Sequence, residues 1–441
     1  MALRDDCYDK VFPDLPPLSI GTAGVAELGR CAALWDGSAL EGHEDESGVD
    51  AAWPIFGQFV AHDITADRSP LGAARRSAAI TNFRAPRLDL ECLYGPGPIG
   101  APYLFDRHNP AKLLLSSSGV DVPRNREGIA LIGDARNDSH LLVSQMHVAF
   151  ATLHNRFVDE LRSAGCGEQE LFDDARRSTV WHYQHILLRE FLPQVVGRSL
   201  AAELIEDGPR FFRVSRDEPH VPLEFAAAAY RYGHAQIREL YQVNPHYGPV
   251  PLFPDLVGFG PVTQERAVDW SLHIGPGAQK AIRIAARLPG ALLHLPPQIS
   301  GVRSDHDLSS LAARDLARGM KCGLPSGEAV ARAMGITPLE PRAIGLARYG
   351  WVDETPLWLY VLREAEMLCG GERLGPVGGR IVGDVLVGIL DSDPESFRAH
   401  APDWRPWLTG NGSFSLAHVL LARRASALAD ASQSRSADPE S

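Results

Sequence analysis

A mainly α-helical fold is predicted for this chain of 441 residues, because helical periodicity dominates the sequence and strand-like alternation is rare. Apolar residues recur every three to four positions over six long stretches, which is the spacing of one buried helix face. Alternating apolar and polar residues occur only in short runs, so layers of helix and sheet are not expected. The predicted helices cover residues 139–163, 173–192, 222–243, 308–319, 326–334 and 355–369.

The composition is that of an ordinary folded globular protein, with 45% hydrophobic and 22% charged residues. The length would accommodate up to about three domains, but no linker or internal repeat divides the chain. Stretches rich in proline and glycine at 95–103 and 244–260 resemble loops that cross the surface of a helical body. We therefore expect one domain over residues 1–429, followed by a polar, disordered tail at 430–441.

Charge and patterning exclude several classes of partner. The formal net charge of -12 would repel a phosphate backbone, so nucleic acid is not expected as a ligand. No run of about 18 apolar residues is present, which argues against a membrane span. Residues 1–10 lack the basic segment and apolar run of an export signal, so we expect a cytoplasmic protein. The sequence contains no CxxC pair, so neither a zinc site nor a disulfide framework is expected. The six cysteines are Cys7, Cys31, Cys92, Cys166, Cys322 and Cys369.

The first candidate site residues lie in the segment WPIFGQFVAHDITAD at 53–67. Gln58 and His62 are four positions apart, so on a helix they share one face and their polar groups can converge. A buried, hydrogen-bonded histidine with a purely structural role is the alternative interpretation.

A second candidate, Arg136, lies just before the predicted helix at 139–163. From that position its guanidinium can reach into a cavity. Because arginine stays charged in any environment, it suits the stabilisation of negative charge during a reaction. The alternative is a surface ion pair with Asp134 or Asp138.

The third candidate segment is EFAAAAYRYGHAQIREL at 224–240. Small residues precede Arg231 and His234, which would let a flat, bulky group pack against this part of the chain. His234 is then a candidate iron ligand.

Taken in order, FGQFVAHD, GDAR and AYRYGH resemble the distal-histidine, distal-arginine and proximal-histidine motifs of the animal haem peroxidase family. Similarity extends from FPDLPP at 12–17 to DWRPW at 403–407, and the segments at 181–193, 323–335 and 363–382 resemble compact bacterial members. The resemblance implies the helical fold of that family, a haem cofactor, and hydrogen peroxide as a substrate together with a small organic donor.

The resemblance also implies roles on the distal side of the haem. His62 would take a proton from hydrogen peroxide and return it to the leaving oxygen. Arg136 would stabilise the charge that develops as the O–O bond breaks, and Gln58 would hydrogen-bond a distal water or small substrate. The product would be a ferryl haem that the donor reduces. An aromatic donor in secondary metabolism is one use that fits this chemistry.

On the proximal side, the resemblance implies that His234 binds the iron while Arg231 and Arg318 pair with the haem propionates. Asp315 stands where the family has an asparagine that hydrogen-bonds the proximal histidine. A carboxylate there would make His234 more imidazolate-like and lower the reduction potential of the iron. In the alternative interpretation, Asp315 turns away into a surface ion pair.

The sequence departs from the family at the positions that attach haem covalently in mammalian members. Those positions are Ala61, Ser139 and His140 here, and none of these side chains can form the corresponding bond. We therefore expect non-covalent haem b.

Calcium binding is a further possibility that the resemblance implies. Asp63, Asp89 and Glu91 match side-chain ligand positions, and carboxylates are ligands that calcium prefers. Ala85, however, replaces the family's threonine ligand. The alternative is a set of acidic residues in a solvated loop.

Two other functions stay open at this point. A haem-dependent oxygenase or dioxygenase of the same superfamily would use a tyrosine radical three residues before the proximal histidine, but that residue is Arg231 here. A haem-binding protein without peroxidase activity is the non-enzymatic alternative. Two histidine pairs, His182 with His185 and His147 with His154, are interpreted as packing or structural residues.

Overall fold

The computed structural model describes residues 8–18, 45–66, 82–214, 220–301, 309–349, 351, 353–409 and 413–422. The predicted tail at 430–441 lies outside the described residues, as do Cys7 and Cys31. The other four cysteines are free thiols.

Helices form most of the regular structure in the described part of the chain, as predicted. The α-helices of seven or more residues are α1 (Ala52–Ile64), α2 (Leu141–Ser163), α3 (Leu171–Ile186), α4 (Arg198–Asp207), α5 (Leu311–Lys321), α6 (Gly327–Ala333), α7 (Leu357–Cys369) and α8 (Pro376–Ser392). Shorter helical segments cover Glu91–Tyr94, Gly97–Gly100, Pro102–Leu104, Ala135–Asp138, Leu187–Phe191, Leu192–Val196, Leu223–Ala226, Ala229–Gln236, Gln264–Arg266, Trp270–Leu272, Gly290–Leu293, Pro297–Ser300, Pro341–Ile344, Leu346–Tyr349, Phe397–His400 and Leu416–Leu420.

The strands of the described residues form three small two-stranded sheets. The pairs are β1 (Tyr8–Asp9) with β3 (Val221–Pro222), β2 (Glu46–Asp50) with β6 (Lys280–Ile282), and β4 (Leu240–Tyr241) with β5 (Val250–Pro251). The first pair is parallel and the other two are antiparallel. They join distant parts of the chain without forming a layer.

Helix α2 packs against α1 and α3 in the apolar core. Phe59 of α1 stacks on Phe150 of α2, with ring centroids 5.1 Å apart and an interplanar angle of 14°. Phe56, one turn earlier on α1, also stacks on Phe150. Aromatic pairs of this kind fix both the distance and the rotation of the two helices. They therefore determine which face α1 turns towards the site.

One predicted helix is wrong. Residues 222–243 do not form a single helix, but the short helix Leu223–Ala226, the 3₁₀ segment Ala229–Gln236 and strand β4. The break falls at Ala228, whose φ of -139° and ψ of -79° lie outside helical geometry. The run of alanines favours helix locally, but tertiary contacts on either side of the break override that preference.

The other predicted helices are present with shifted ends. The prediction at 173–192 corresponds to α3 together with a π-helical turn at Leu187–Phe191, and α8 was not predicted. In the part of the chain that the structure describes, no helix combines the length and apolar character needed to cross a bilayer.

Candidate active site

A cavity of about 370 Å³ lies between α1, the start of α2 and the 3₁₀ segment Ala229–Gln236. It brings together five residues that the sequence singled out, namely Gln58, His62, Arg136, Arg231 and His234. Apolar side chains form much of the rest of its wall: Ile55, Val143, Phe225, Leu252, Phe253, Leu292, Leu295, Ile299 and Leu311. A cavity with apolar walls and a few polar groups is typical of a cofactor or ligand site.

Helix α1 presents Gln58 and His62 on the face predicted for them. The Gln58 amide donates to Nε2 of His62 across 2.6 Å, and Nδ1 of His62 lies 2.8 Å from Oδ1 of Asn137. Burial lowers the pKa of His62 to about 3, and the positive charge of Arg136 acts in the same direction. The imidazole is therefore neutral near pH 7 and can accept a proton.

Arg136 is held by Asp134, the residue that caps its own helical turn. Nε and Nη2 of the arginine donate to the two carboxylate oxygens at 3.0 and 2.7 Å, and Nη2 also donates to the His62 carbonyl at 3.0 Å. Although burial acts to raise it, these hydrogen bonds hold the pKa of Asp134 below its ordinary value. The ion pair with Asp134 is present, but Asp134 is buried and Arg136 lines the cavity, so it is not a surface ion pair.

Asp315 connects the proximal residues. Its buried carboxylate accepts from Nδ1 of His234 and from Nη1 of Arg231, both at 2.7 Å. Burial would raise the pKa of Asp315, but the charge of Arg231 and the hydrogen bonds from His234 and Arg231 lower it. With Nδ1 engaged, Nε2 is the ring nitrogen of His234 that is left to bind a ligand. The alternative in which Asp315 turns away into a surface ion pair does not occur.

The arginines predicted to meet the haem propionates are placed differently. Arg231 lines the cavity, and its guanidinium donates hydrogen bonds to Asp315 and to the Ala226 carbonyl. Arg318, on α5, is not among the described residues that line the cavity. Pairing of Arg231 and Arg318 with haem propionates stays a prediction.

The residues of this cavity fit a haem group. His234 offers an imidazole nitrogen, which is a common axial ligand of haem iron, and the apolar walls suit the faces of a porphyrin. Among the described residues, no Asp or Glu lines the cavity. Ala61, Ser139 and His140 do line it, and the Ser139 hydroxyl donates to the Arg136 carbonyl at 2.7 Å.

The three acidic residues considered for calcium have protein partners in this structure, and calcium binding stays a prediction. Asp63 accepts from the backbone N–H groups of Leu90 and Cys92. Arg84 pairs with Glu91 at 2.9 Å, and Arg176 pairs with Asp89 at 3.3 Å. Within the described segments, no group of three or more His, Cys, Asp or Glu side chains is arranged to hold a metal.

The sequence interpretation missed Asn137 and did not assign a contact to His147. Asn137 is fully buried and lies between the two histidines, with its Nδ2 3.1 Å from Nδ1 of His147. The only local signal was that Asn137 directly follows the candidate Arg136. His182 packs against Phe157 with ring centroids 4.7 Å apart, in agreement with the packing role predicted for it.

Comparison with known sequences identifies related proteins. A sequence profile of the family described as animal haem peroxidase matches residues 103–340. Thyroid peroxidase of Homo sapiens is 27% identical over 286 residues, covering 60% of this chain and 30% of that protein. Eosinophil peroxidase of Homo sapiens is 27% identical over 299 residues, covering 62% of this chain and 39% of that protein. The chain thus spans well under half the length of these relatives.

Solved structures share the fold. Peroxidase A of Dictyostelium discoideum superimposes with a TM-score of 0.67 at 14% identity, covering 96% of this chain and 91% of that one. The fatty acid alpha-dioxygenase of Oryza sativa gives a TM-score of 0.61 at 15% identity, covering 80% of this chain and 70% of that one. At these identities the likeness establishes the architecture alone.

Proposed function

Because this chain belongs to the animal haem peroxidase family, we propose that it uses hydrogen peroxide to oxidise a small organic molecule. The family implies haem as the cofactor. The observation that carries the proposal is that a neutral, buried His62 and a cationic Arg136 line the same cavity as His234. An unprotonated base, a fixed positive charge and an iron ligand together supply what cleavage of peroxide requires.

His62 is the proton-transfer residue of the proposal. Its Nε2 accepts a hydrogen bond from Gln58, so this nitrogen carries a lone pair at the cavity wall. A base with a depressed pKa is already deprotonated when peroxide enters, and the protonated form releases its proton readily to the departing oxygen. Gln58 keeps the ring oriented and can also hydrogen-bond a bound water or substrate.

Arg136 supplies the positive charge. Asp134 binds two of its nitrogens, while Nη1 makes no hydrogen bond to any residue that the structure describes. A guanidinium fixed in this way needs no reorganisation when negative charge develops on an oxygen nearby. Lysine could not reproduce the two-pronged contact with Asp134.

His234 would hold the iron, and haem supplies the redox chemistry when bound. The cavity supports non-covalent haem b, because no described carboxylate is positioned to form an ester with the porphyrin. We propose a small aromatic molecule as the donor, because the apolar and aromatic side chains that a porphyrin leaves uncovered would favour a hydrophobic molecule. Calcium is not part of the proposal, since the three candidate carboxylates are bound to arginines and backbone N–H groups.

Oxygenase chemistry of the dioxygenase type is less well supported. The residue three positions before His234 is Arg231, whose guanidinium is bound to Asp315. Arginine cannot form the radical that a tyrosine provides at that position. The fold shared with fatty acid alpha-dioxygenase carries no argument about the reaction.

The experiment is a stopped-flow measurement of the haem-loaded chain with hydrogen peroxide, followed by steady-state oxidation of guaiacol. We expect a rapid change in the Soret band and peroxide-dependent turnover. His62→Ala should slow the reaction with peroxide by at least about 100-fold, because general base catalysis contributes on this scale. Arg136→Ala should slow it through loss of electrostatic stabilisation.

The matched control is His185→Ala, which removes a partly buried histidine that does not line the cavity. It should leave both rates unchanged. Failure of the parent chain to react with peroxide while it binds haem would reject the peroxidase proposal in favour of a haem-binding role.

A further inference from the structure

A hydrogen-bonded chain of side chains runs from the cavity into the core. Nε2 of Gln58 lies 2.6 Å from Nε2 of His62. Oδ1 of Asn137 lies 2.8 Å from Nδ1 of His62, and Nδ2 of Asn137 lies 3.1 Å from Nδ1 of His147. Asn137 has 0% exposed surface and His147 has 4%. Both side chains are shielded from bulk solvent, so their polar atoms need hydrogen-bond partners inside the protein.

The amide of Asn137 couples the protonation of the two rings. An amide has one acceptor end and one donor end, so the two histidine nitrogens that face it must play opposite parts. If Oδ1 faces His62, then Nδ1 of His62 carries the proton and Nδ1 of His147 accepts from the amide. If the amide is reversed, both assignments are reversed.

The contacts of the cavity favour the first arrangement. Oδ1 of Asn137 faces His62 and Nδ2 faces His147. Gln58 independently presents its Nε2, a donor, to Nε2 of His62. Both amides therefore assign the same neutral form, with the proton on Nδ1 and the lone pair on Nε2.

We propose that Asn137, oriented by His147, is a positioning residue that holds His62 in the Nδ1–H form and leaves on Nε2 the lone pair that acts as the base once peroxide displaces the Gln58 amide. Asn137 contacts neither the cavity nor any reacting atom, since it is absent from the described lining. It acts through His62 alone. The reverse amide orientation would place a proton on Nε2, and that nitrogen could no longer accept one from peroxide.

The role given to Asn137 rests on the proposed function, because a base is useful only if the chain reacts with peroxide. The protonation of His62 can be tested without that reaction. The direct test is ¹⁵N NMR of the full chain labelled at histidine and loaded with zinc protoporphyrin, which is diamagnetic. His62→Ala identifies the His62 signals by their loss. We expect Nδ1 of His62 to appear as a protonated nitrogen and Nε2 as an unprotonated one. The opposite pattern in the unmodified chain would overturn the inference.

Two variants at position 137 separate positioning from folding. Asn137→Asp keeps an acceptor for His62 and should retain the Nδ1–H pattern. Asn137→Leu has a similar volume but no acceptor, so His62 should shift to the Nε2–H form or to a mixture of forms. In the iron-loaded chain, the reaction of the leucine variant with peroxide should slow by roughly 10-fold to 100-fold, and that of the aspartate variant by much less.

His147→Phe tests the second half of the chain without changing Asn137. It removes the acceptor that orients the amide, so the His62 pattern should become mixed. If the pattern stays purely Nδ1–H in both Asn137→Leu and His147→Phe, these residues do not position His62. If the tautomer is as expected but the iron-loaded chain ignores peroxide, the proposed function fails while the positioning inference stands.

Discussion

The buried carboxylate of Asp315 accepts a hydrogen bond from Nδ1 of His234 across 2.7 Å. A carboxylate in this place gives the imidazole anionic character, which strengthens its donation to a bound iron and stabilises the ferric state. Asp315→Asn keeps the shape and one acceptor but removes the charge. We expect the ferric/ferrous midpoint potential of the haem-loaded variant to rise by about 60 mV or more. A rise of about 59 mV corresponds to a tenfold shift of a one-electron equilibrium.

The matched control for that measurement is Asp384→Asn. Asp384 is equally buried and also lies beside an arginine, but it is on α8 and does not line the cavity. Its replacement should leave the midpoint potential unchanged. A similar potential in Asp315→Asn and the parent chain, measured by spectroelectrochemistry, would mean that the hydrogen bond does not tune the iron.

Covalent attachment of haem offers a second prediction. Ala61 lines the cavity, and the resemblance to the family places it at a position that attaches haem covalently in mammalian members. We expect acid-acetone to extract all haem from the parent chain. Ala61→Asp should retain part of its haem after turnover with peroxide, because the variant supplies the missing carboxylate. Haem staining of a denaturing gel measures the retained fraction.

The control is Ala61→Asn, which has the same shape and cannot form an ester. It should release all its haem. Retention of haem by the parent chain would contradict the non-covalent assignment, and retention by the asparagine variant would show that the group is merely trapped.

Helices were predicted correctly where a long amphipathic pattern determines the local structure. The helix predicted at 139–163 is present as α2 at Leu141–Ser163, because a long amphipathic pattern has few alternatives. The single helix predicted at 222–243 is wrong because contacts with distant parts of the chain determine the structure there. The Glu224 carboxylate binds the N–H groups of Val11 and Phe12, and the Tyr230 hydroxyl donates to the Gly57 carbonyl. These contacts fix the chain on both sides of the break, and no local pattern reveals them.

The same contrast applies to the candidate site. Gln58 and His62 were found because a spacing of four residues places them together on a helix. Asn137 was missed because its hydrogen bond to His62 spans 75 residues. The hydrogen bond between Arg231 and Asp315 spans 84 residues, so no local pattern revealed it.

Glu190 should make the stability of the chain depend on pH. Burial raises its pKa to about 7, from about 4.5 in an unfolded chain. Between these values the folded state holds a proton that the unfolded state has released, so the free energy of unfolding falls as pH rises towards 7 and the loss is complete above it. Glu190→Gln removes this cost. We expect the variant to be more stable than the parent by roughly 1–2 kcal/mol at pH 8, after allowance for partial exposure.

Urea unfolding at pH 8 and at pH 4.5 measures this difference. At the lower pH the gain should largely disappear, since the glutamate is then mostly protonated in the folded chain. Glu206→Gln is the control for loss of one exposed carboxylate. An equal gain from Glu190→Gln at both values of pH would show that packing, and not ionisation, is responsible.

Arg84 supplies an internal positive charge close to the distal residues. Its side chain is 6% exposed and pairs with Asp134 at 2.6 Å and with Glu91 at 2.9 Å. Removal of one partner from a buried ion pair leaves uncompensated charge and costs roughly 3–5 kcal/mol. Because Arg136 still pairs with Asp134 in the variant and Glu91 is partly exposed, we expect Arg84→Gln to lower the free energy of unfolding by less than this range, roughly 1–3 kcal/mol, as measured by urea titration.

Because Arg84 and Arg176 already bind two of the three acidic residues near α1, the chain should not need calcium for stability. Dialysis against EDTA should leave the unfolding midpoint of the parent chain unchanged. Arg176→Gln is the matched control for Arg84→Gln, since its pair with Asp89 is 37% and 24% exposed and should contribute under about 1 kcal/mol. A lower midpoint after EDTA, restored by calcium, would show that an ion and not the arginines balances these carboxylates.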